Sequence, residues 1–313
     1  MKNIKKHILL IVISFWVMNL CAQNEFKIIK INNNLLKFKN NFTLIFDKNG
    51  NITYGTLVEE TVFKNGNNII PLGINQMLTF YENGYLNHCA LAKNTYIKVG
   101  NNLIPFRGGA VCEFYKNGNV SYGTLAFDTI LNVGIYLVPL LSPKEIKTNY
   151  IQMHFIRFFE NGVIESGELS NDFKAIINKK KFVFKNGTDI YFYDNSSILS
   201  GTLAENVVLK IQKKKFLIDD YVSFYENGIV EESHLSEDIK IKINNNNSLL
   251  ITGSNISNSI GFHPNGCIAT CIAGEDKTLS VNDTILNIKK GDFLEFDKQG
   301  QISVSENIYY FIK

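Results

Sequence analysis

The sequence predicts an all-β fold: an elongated array of eight β-hairpin repeats of about 34 residues, solenoid-like or built of stacked hairpins. Three observations predict it. The pentapeptide FYENG occurs at 80–84 and again at 224–228, with FYKNG at 114–118, FFENG at 158–162 and FYDNS at 192–196. The turn residues Gly50, Gly84, Gly118, Gly162, Ser196, Gly228, Gly266 and Gly300 follow one another at intervals of 34, 34, 44, 34, 32, 38 and 34. Self-similarity at such a period signals a repeat array. The apolar residues leading into each turn alternate with period two, which is the period of a strand and not of a helix.

Each element follows from positions counted from the turn residue, taken as zero. Position −4 is Phe in all eight units, from Phe46 to Phe296; positions −6 and +2 are apolar throughout. A two-residue Asn-Gly loop would set −3 opposite +2. A three-residue loop, a type I turn followed by a left-handed glycine, sets −4 opposite +2. The second places every Phe beside an aliphatic partner, as cross-strand packing favours. Pro264 in unit seven agrees, because its fixed φ suits the first central position of a type I turn. FYENG therefore reads as a strand end and its hairpin turn.

Position +5 is always Gly, Ser or Cys, from Gly55 to Ser305. Inward parity shifts between +2 and +5, which predicts a bulge or corner with no room for a side chain. A second turn signal stands at Gly66, Gly100 and Gly134 and is followed by apolar triplets such as "IIP" at 69–71 and "LIP" at 103–105. Each unit thus reads as two hairpins. Residues 26–38 resemble the second half of a unit placed before the first Phe, and such an offset start suits an eight-bladed propeller as the alternative. Its blades, however, usually need 40 residues or more, which favours the open array.

The F/Y-Y-x-N-G-x-[IVL] core resembles the MORN-variant repeats, including bacterial YwqK-type antitoxin-like proteins. The likeness runs through all eight units. It implies a β-hairpin array used for binding or scaffolding, and it implies no catalytic residues. The 34-residue period is longer than the MORN spacing of about two dozen residues.

Residues 1–22 read as a signal peptide: "MKNIKKH", the apolar run "ILLIVISFWVMNL", then "CA" with Ala22 at the exit. The run is short for a membrane span, so no integral span is expected in the remaining chain. The alternatives are a lipoprotein anchored at Cys21, although Leu20 is bulky for that signal, and a segment retained as an anchor. The expected domain boundaries are 1–22 for the signal and 23–313 for one repeat domain. Losing Lys2, Lys5 and Lys6 leaves 29 basic and 29 acidic residues, so net charge makes no case for nucleic acid or an anionic membrane.

Catalytic chemistry finds no motif. The histidines His88, His154, His234 and His263 occupy four different repeat positions, and no ligand spacing joins them or the cysteines. No metal and no cofactor is expected. Cys89, Cys112 and Cys271 fit as small apolar residues at repeat positions. The tip residues Lys48, Glu82, Lys116, Glu160, Asp194 and Glu226 read as solvated.

Position −3 is the candidate site. It is aromatic in five consecutive units, Tyr81, Tyr115, Phe159, Tyr193 and Tyr225, and it is Asp47 and Asp297 at the ends. The ladder reads as a second core layer or as a stacking surface for glycan or envelope protein. The insertion at 140–150 is a further candidate binding loop. The function expected is an exported, non-enzymatic binding or scaffold protein of the bacterial envelope; the alternatives are a surface spacer or an enzyme of unrecognised chemistry. A binding protein predicts an exposed apolar stripe, and a spacer a uniformly polar outside.

Overall fold

The computed structural model describes residues 25–41, 43–143, 155–211, 214–243, 247–253, 259–281 and 284–304. The signal segment, Cys21 and most of the insertion at 140–150 lie outside the described residues. Those residues form strands, turns and bends, with no helix. They divide between two compact units, Met1–Ala126 and Phe127–Lys313.

The main hairpins form as the loop chemistry requires. In all eight, the position-0 N–H donates to the −3 carbonyl and the −3 N–H donates to the +1 carbonyl, as in Gly84 to Tyr81 at 2.8 Å and Tyr81 to Tyr85 at 2.9 Å. Every turn residue has positive φ, between 71° at Ser196 and 84° at Gly118. Position −4 faces +2 in each hairpin, for example Phe80 with Leu86 and Phe192 with Ile198. The next pair is −5 with +4, so the parity shift is a one-residue bulge at +3 in all but the last hairpin, whose ladder stays regular. The −1 Asn supports the loop, because its Oδ1 accepts the +1 N–H, as in Asn83 from Tyr85 at 3.2 Å and Asn227 from Ile229 at 3.0 Å.

Successive main hairpins also pair with each other. In the first unit, Ile52–Thr56 pairs with Met77–Phe80, and Leu86–Ala90 with Val111–Phe114. In the second, the meander runs from Ile156–Phe158 to Ile302–Val304. The second hairpins of the repeats stand apart as lateral hairpins, such as Thr61–Asn65 with Asn68–Leu72 and Phe173–Ile177 with Lys180–Phe184. Phe26–Ile31 and Asn34–Lys39 are the extra half unit read from the sequence. The propeller alternative therefore fails. A blade would be a separate four-stranded sheet, whereas here the main hairpins within each unit pair with one another and the lateral ones, except that of unit five, stay out of the sheet they form. In unit five the interval shortens to 32 residues. The corner is lost there, and one strand, Lys214–Phe224, serves both hairpins, broken by a bulge and by Asp220 at φ 53°.

Lateral hairpins fold over the Phe face of the main sheet, so the core lies between two layers. Phe63 meets Phe80 at 5.7 Å between ring centroids, and Phe182 meets Phe224 edge-on at 5.0 Å. Such pairs contribute about 0.5–1.5 kcal/mol beyond their buried area. Lateral tips reach main turns two repeats on: Asn65 Nδ2 donates to the Gly118 carbonyl, and Asn178 Nδ2 to that of Asn227. The +7 leucines bridge to the ends of the lateral hairpins, as Leu57 does to Phe38 and Leu203 to Phe184. The small +5 residue has a direct cause. A Cβ on Gly55 or Gly123 would stand 2.6 Å from a ring carbon of Phe38 or Phe106.

Candidate functional site

The −3 ladder is half-buried, and its hydroxyls are in use. Tyr81 Oη donates to the Phe114 carbonyl at 2.8 Å, Tyr193 Oη to that of Phe224 at 2.9 Å, and Tyr225 Oη to that of Phe262 at 2.9 Å. His263, the −3 residue of unit seven, sets Nε2 2.7 Å from the Phe296 carbonyl. Each donor thus reaches the −4 carbonyl of the following repeat, where the main-sheet register is interrupted in all but the last hairpin. Burial, followed by Glu231 and Glu226, raises the Tyr193 phenol above its usual range. Tyr115 and Phe159 are half-buried at the equivalent positions. The ladder is neither a fully buried layer nor a free row of rings. The −1 Asn adds a parallel link to the next tip, as Asn83 Nδ2 to the Lys116 carbonyl at 2.7 Å. Asp297 closes its own loop instead, accepting the N–H groups of Gln299 and Gln301, and Asp47 does the same with Asn49 and Asn51.

A second surface went unread at the sequence level. The lateral strands alternate, with one set of side chains in the core and the other on the outside. In the first unit the outward set includes Ile28, Leu35, Val62, Ile69, Tyr96 and Leu103, all exposed. In the second it includes Ile130, Leu137, Ile176 and Ile285, each between 64% and 69% exposed. Lysines alternate with them: Lys64 faces Ile69 across the strands, Ile176 faces Lys181, and Lys210 faces Lys215. No Asp or Glu occurs among the residues paired within the lateral hairpins, although the shared strand Lys214–Phe224 carries Asp219 and Asp220 just beyond its lateral part. Amides join neighbouring hairpins within the first unit. Asn34 both accepts from and donates to the backbone of Lys64, and Asn68 does so with Lys98.

The opposite face of the main sheet carries polar side chains alongside the exposed Ile45 and Met77. His88 Nδ1 lies 3.2 Å from Glu113 Oε1, and Tyr122 Oη donates to the same oxygen at 2.9 Å. These three are cross-strand neighbours. The cluster orders side chains on a solvated face, with Thr79 directly opposite His88 on the neighbouring strand. A shallow cleft of about 280 Å³ lined by Asn34, Lys64, Asn83 and Tyr85 offers amides and one ammonium. Among the described residues no three His, Cys, Asp or Glu side chains are placed to hold a metal. No described helix is long and apolar enough to cross a membrane.

Cys89 stands directly opposite Cys112, and both are fully buried as free thiols. Burial pushes Cys89 and Cys271 up to about 12. Cys112 rises well above the thiol range, from burial first and then from Cys89 and Glu113. Cys267 is half-buried.

The chain matches no protein-family model and no curated protein.

Proposed function

We propose that the protein is an exported, non-enzymatic binding or scaffold module of the bacterial envelope, and that it binds through the outward faces of its lateral hairpins. The observation that carries this reading is the recurrence of exposed aliphatic side chains at equivalent outward positions, such as Val62 and Ile69, or Ile130 and Leu137. Singly exposed apolar residues are ordinary, but repeated ones on one face mark an interaction surface. A surface spacer has no use for them. The −3 ladder is the weaker candidate, since Tyr81, Tyr193 and Tyr225 spend their hydroxyls on the next repeat.

Site-specific photocrosslinking in the native host tests the proposal. A photoreactive residue at Leu103 or Ile130 is expected to give discrete adducts, and one at Glu232 on the opposite sheet face is expected to give none. Equal, diffuse labelling at all three positions would leave the spacer reading in its place.

A further inference from the structure

We infer that the outward face of the lateral hairpins in the second unit is a docking surface for a bilayer carrying anionic lipid. This deepens the proposed function and rests on that face being a binding surface. The basis is a segregation of charge that the balanced total conceals. The lateral strands of repeats four to six bear Lys174, Lys181, Lys210, Lys215, Lys240 and Lys242 on their outward side, with no carboxylate among the residues paired within those hairpins; Asp219 and Asp220 follow in the same strand as Lys215. Their other acidic neighbours sit in the connecting loops. Lys181 reaches one of them, Glu205, at 3.2 Å. Lys210 and Lys215 are directly opposed across the hairpin, an arrangement that destabilises a sheet. Beside them, burial first, and then Lys240 and Lys242, hold the Lys214 ammonium below its usual range. The fold thus sets like charge against like at Lys210 and Lys215.

The aliphatic side chains decide what kind of anion fits. Ile176 is 68% exposed between Lys174 and Lys181, and Val208 is exposed beside Lys210. A nucleic acid or an acidic polysaccharide would take the lysines and leave these side chains in water. Single-stranded nucleic acid would also call for aromatic platforms, and the outward positions of these three hairpins hold none. An anionic bilayer uses both. Its headgroup layer attracts lysines, and the boundary with the acyl chains accepts aliphatic groups. Lysine stems lie along apolar surface while the ammonium stays in the polar layer. Removal of each lysine is expected to weaken partitioning about fivefold.

Co-sedimentation with unilamellar vesicles tests the inference, using phosphatidylcholine alone and phosphatidylcholine with one-third phosphatidylglycerol. The protein is expected to pellet with the second and not the first, and to be released as salt rises. The variant Lys210→Gln/Lys215→Gln/Lys240→Gln/Lys242→Gln is expected to lose well over tenfold in partitioning. It relieves a like-charge pair, so its thermal midpoint should hold or rise, and a loss of binding would not reflect unfolding. Ile176→Ser/Val208→Ser should weaken binding and make what remains more sensitive to salt. Failure of the folded wild type to pellet with anionic vesicles overturns the inference, as does undiminished binding by the quadruple variant. Retention on an acidic polysaccharide or nucleic acid, without vesicle binding, assigns the face to that polymer instead. If vesicles fail while the Leu103 and Ile130 crosslinks persist, the binding function stands and only the lipid assignment falls.

Discussion

Gly201 lies against Phe184 so closely that a Cβ on it would stand 2.7 Å from the ring carbon Cδ1. The ring is fully buried and has nowhere to turn. Gly201→Ala is therefore expected to lower stability by about 1–3 kcal/mol through overpacking, even though alanine restricts the unfolded chain. Gly167→Ala should cost less, since its Cβ would meet a Leu140 methyl at 3.1 Å. Denaturant midpoints of the two variants check this, and a Gly201→Ala protein as stable as the wild type would contradict the packing account.

Ser196→Gly is expected to stabilise the protein by about 0.5 kcal/mol. Ser196 is held at φ 71°, where seven other repeats carry glycine, and a Cβ there costs roughly 1 kcal/mol. The greater freedom of glycine in the unfolded chain returns part of that gain. In the same repeat Phe192 is buried, and Phe192→Ala should cost about 3–5 kcal/mol. Thermal or urea unfolding measures both, and a lowered midpoint for Ser196→Gly would count against the three-residue loop as the source of strain.

Tyr193→Phe isolates the structural role of the ladder. The change deletes the bond to the Phe224 carbonyl and should cost about 0.5–1.5 kcal/mol. Tyr191→Phe is the control: Tyr191 is exposed, with its hydroxyl 3.5 Å from Asp189, and its loss should be near neutral. Equal midpoints for the two variants would show that the link between repeats carries no stability.

Thiol labelling should separate the four described cysteines. With Cys89, Cys112 and Cys271 buried and their thiolates disfavoured, an alkylating reagent in native buffer is expected to modify Cys267 alone. Reagent added to the unfolded chain should reach all four. Intact mass reads the outcome directly. A shortfall of two labels after unfolding would reveal a disulfide, and the opposed pair Cys89 and Cys112 is where the register would allow it.

Much of the fold was legible because local chemistry repeats. The Asn before seven of the eight turns, the Phe at −4 and the small residue at +5 together set the loop, the register and the bulge. The role of Tyr81 was hidden for a different reason. Its partner is the Phe114 carbonyl 33 residues away, and no side-chain pattern shows a backbone acceptor. The opposition of Cys89 and Cys112 was within reach, since +5 of one repeat pairs with −6 of the next, as Gly55 does with Leu78. The lateral face was missed because charge was summed over the chain. A sum of equal numbers cannot show that the residues paired within the lateral hairpins include lysines and no acids. The apolar residues at 69 and 103 read as strand formers, and the alternation alone did not say which side of the hairpin faced water.

The forward hydrogen bonds give the chain a direction. A tyrosine or asparagine in one repeat donates to a carbonyl in the next, and the last turn, at Asp297, satisfies itself. Cutting such a chain at its two ends is therefore unequal. Trimming from the front exposes carbonyls that water readily serves, whereas trimming from the back strands half-buried phenols that had been matched to a vanished neighbour. The same asymmetry makes a duplicated block self-sufficient, because a copied interior repeat brings its own donors and meets an acceptor in whatever repeat follows. A gene encoding this protein can thus change length by whole interior repeats without inventing a new forward link.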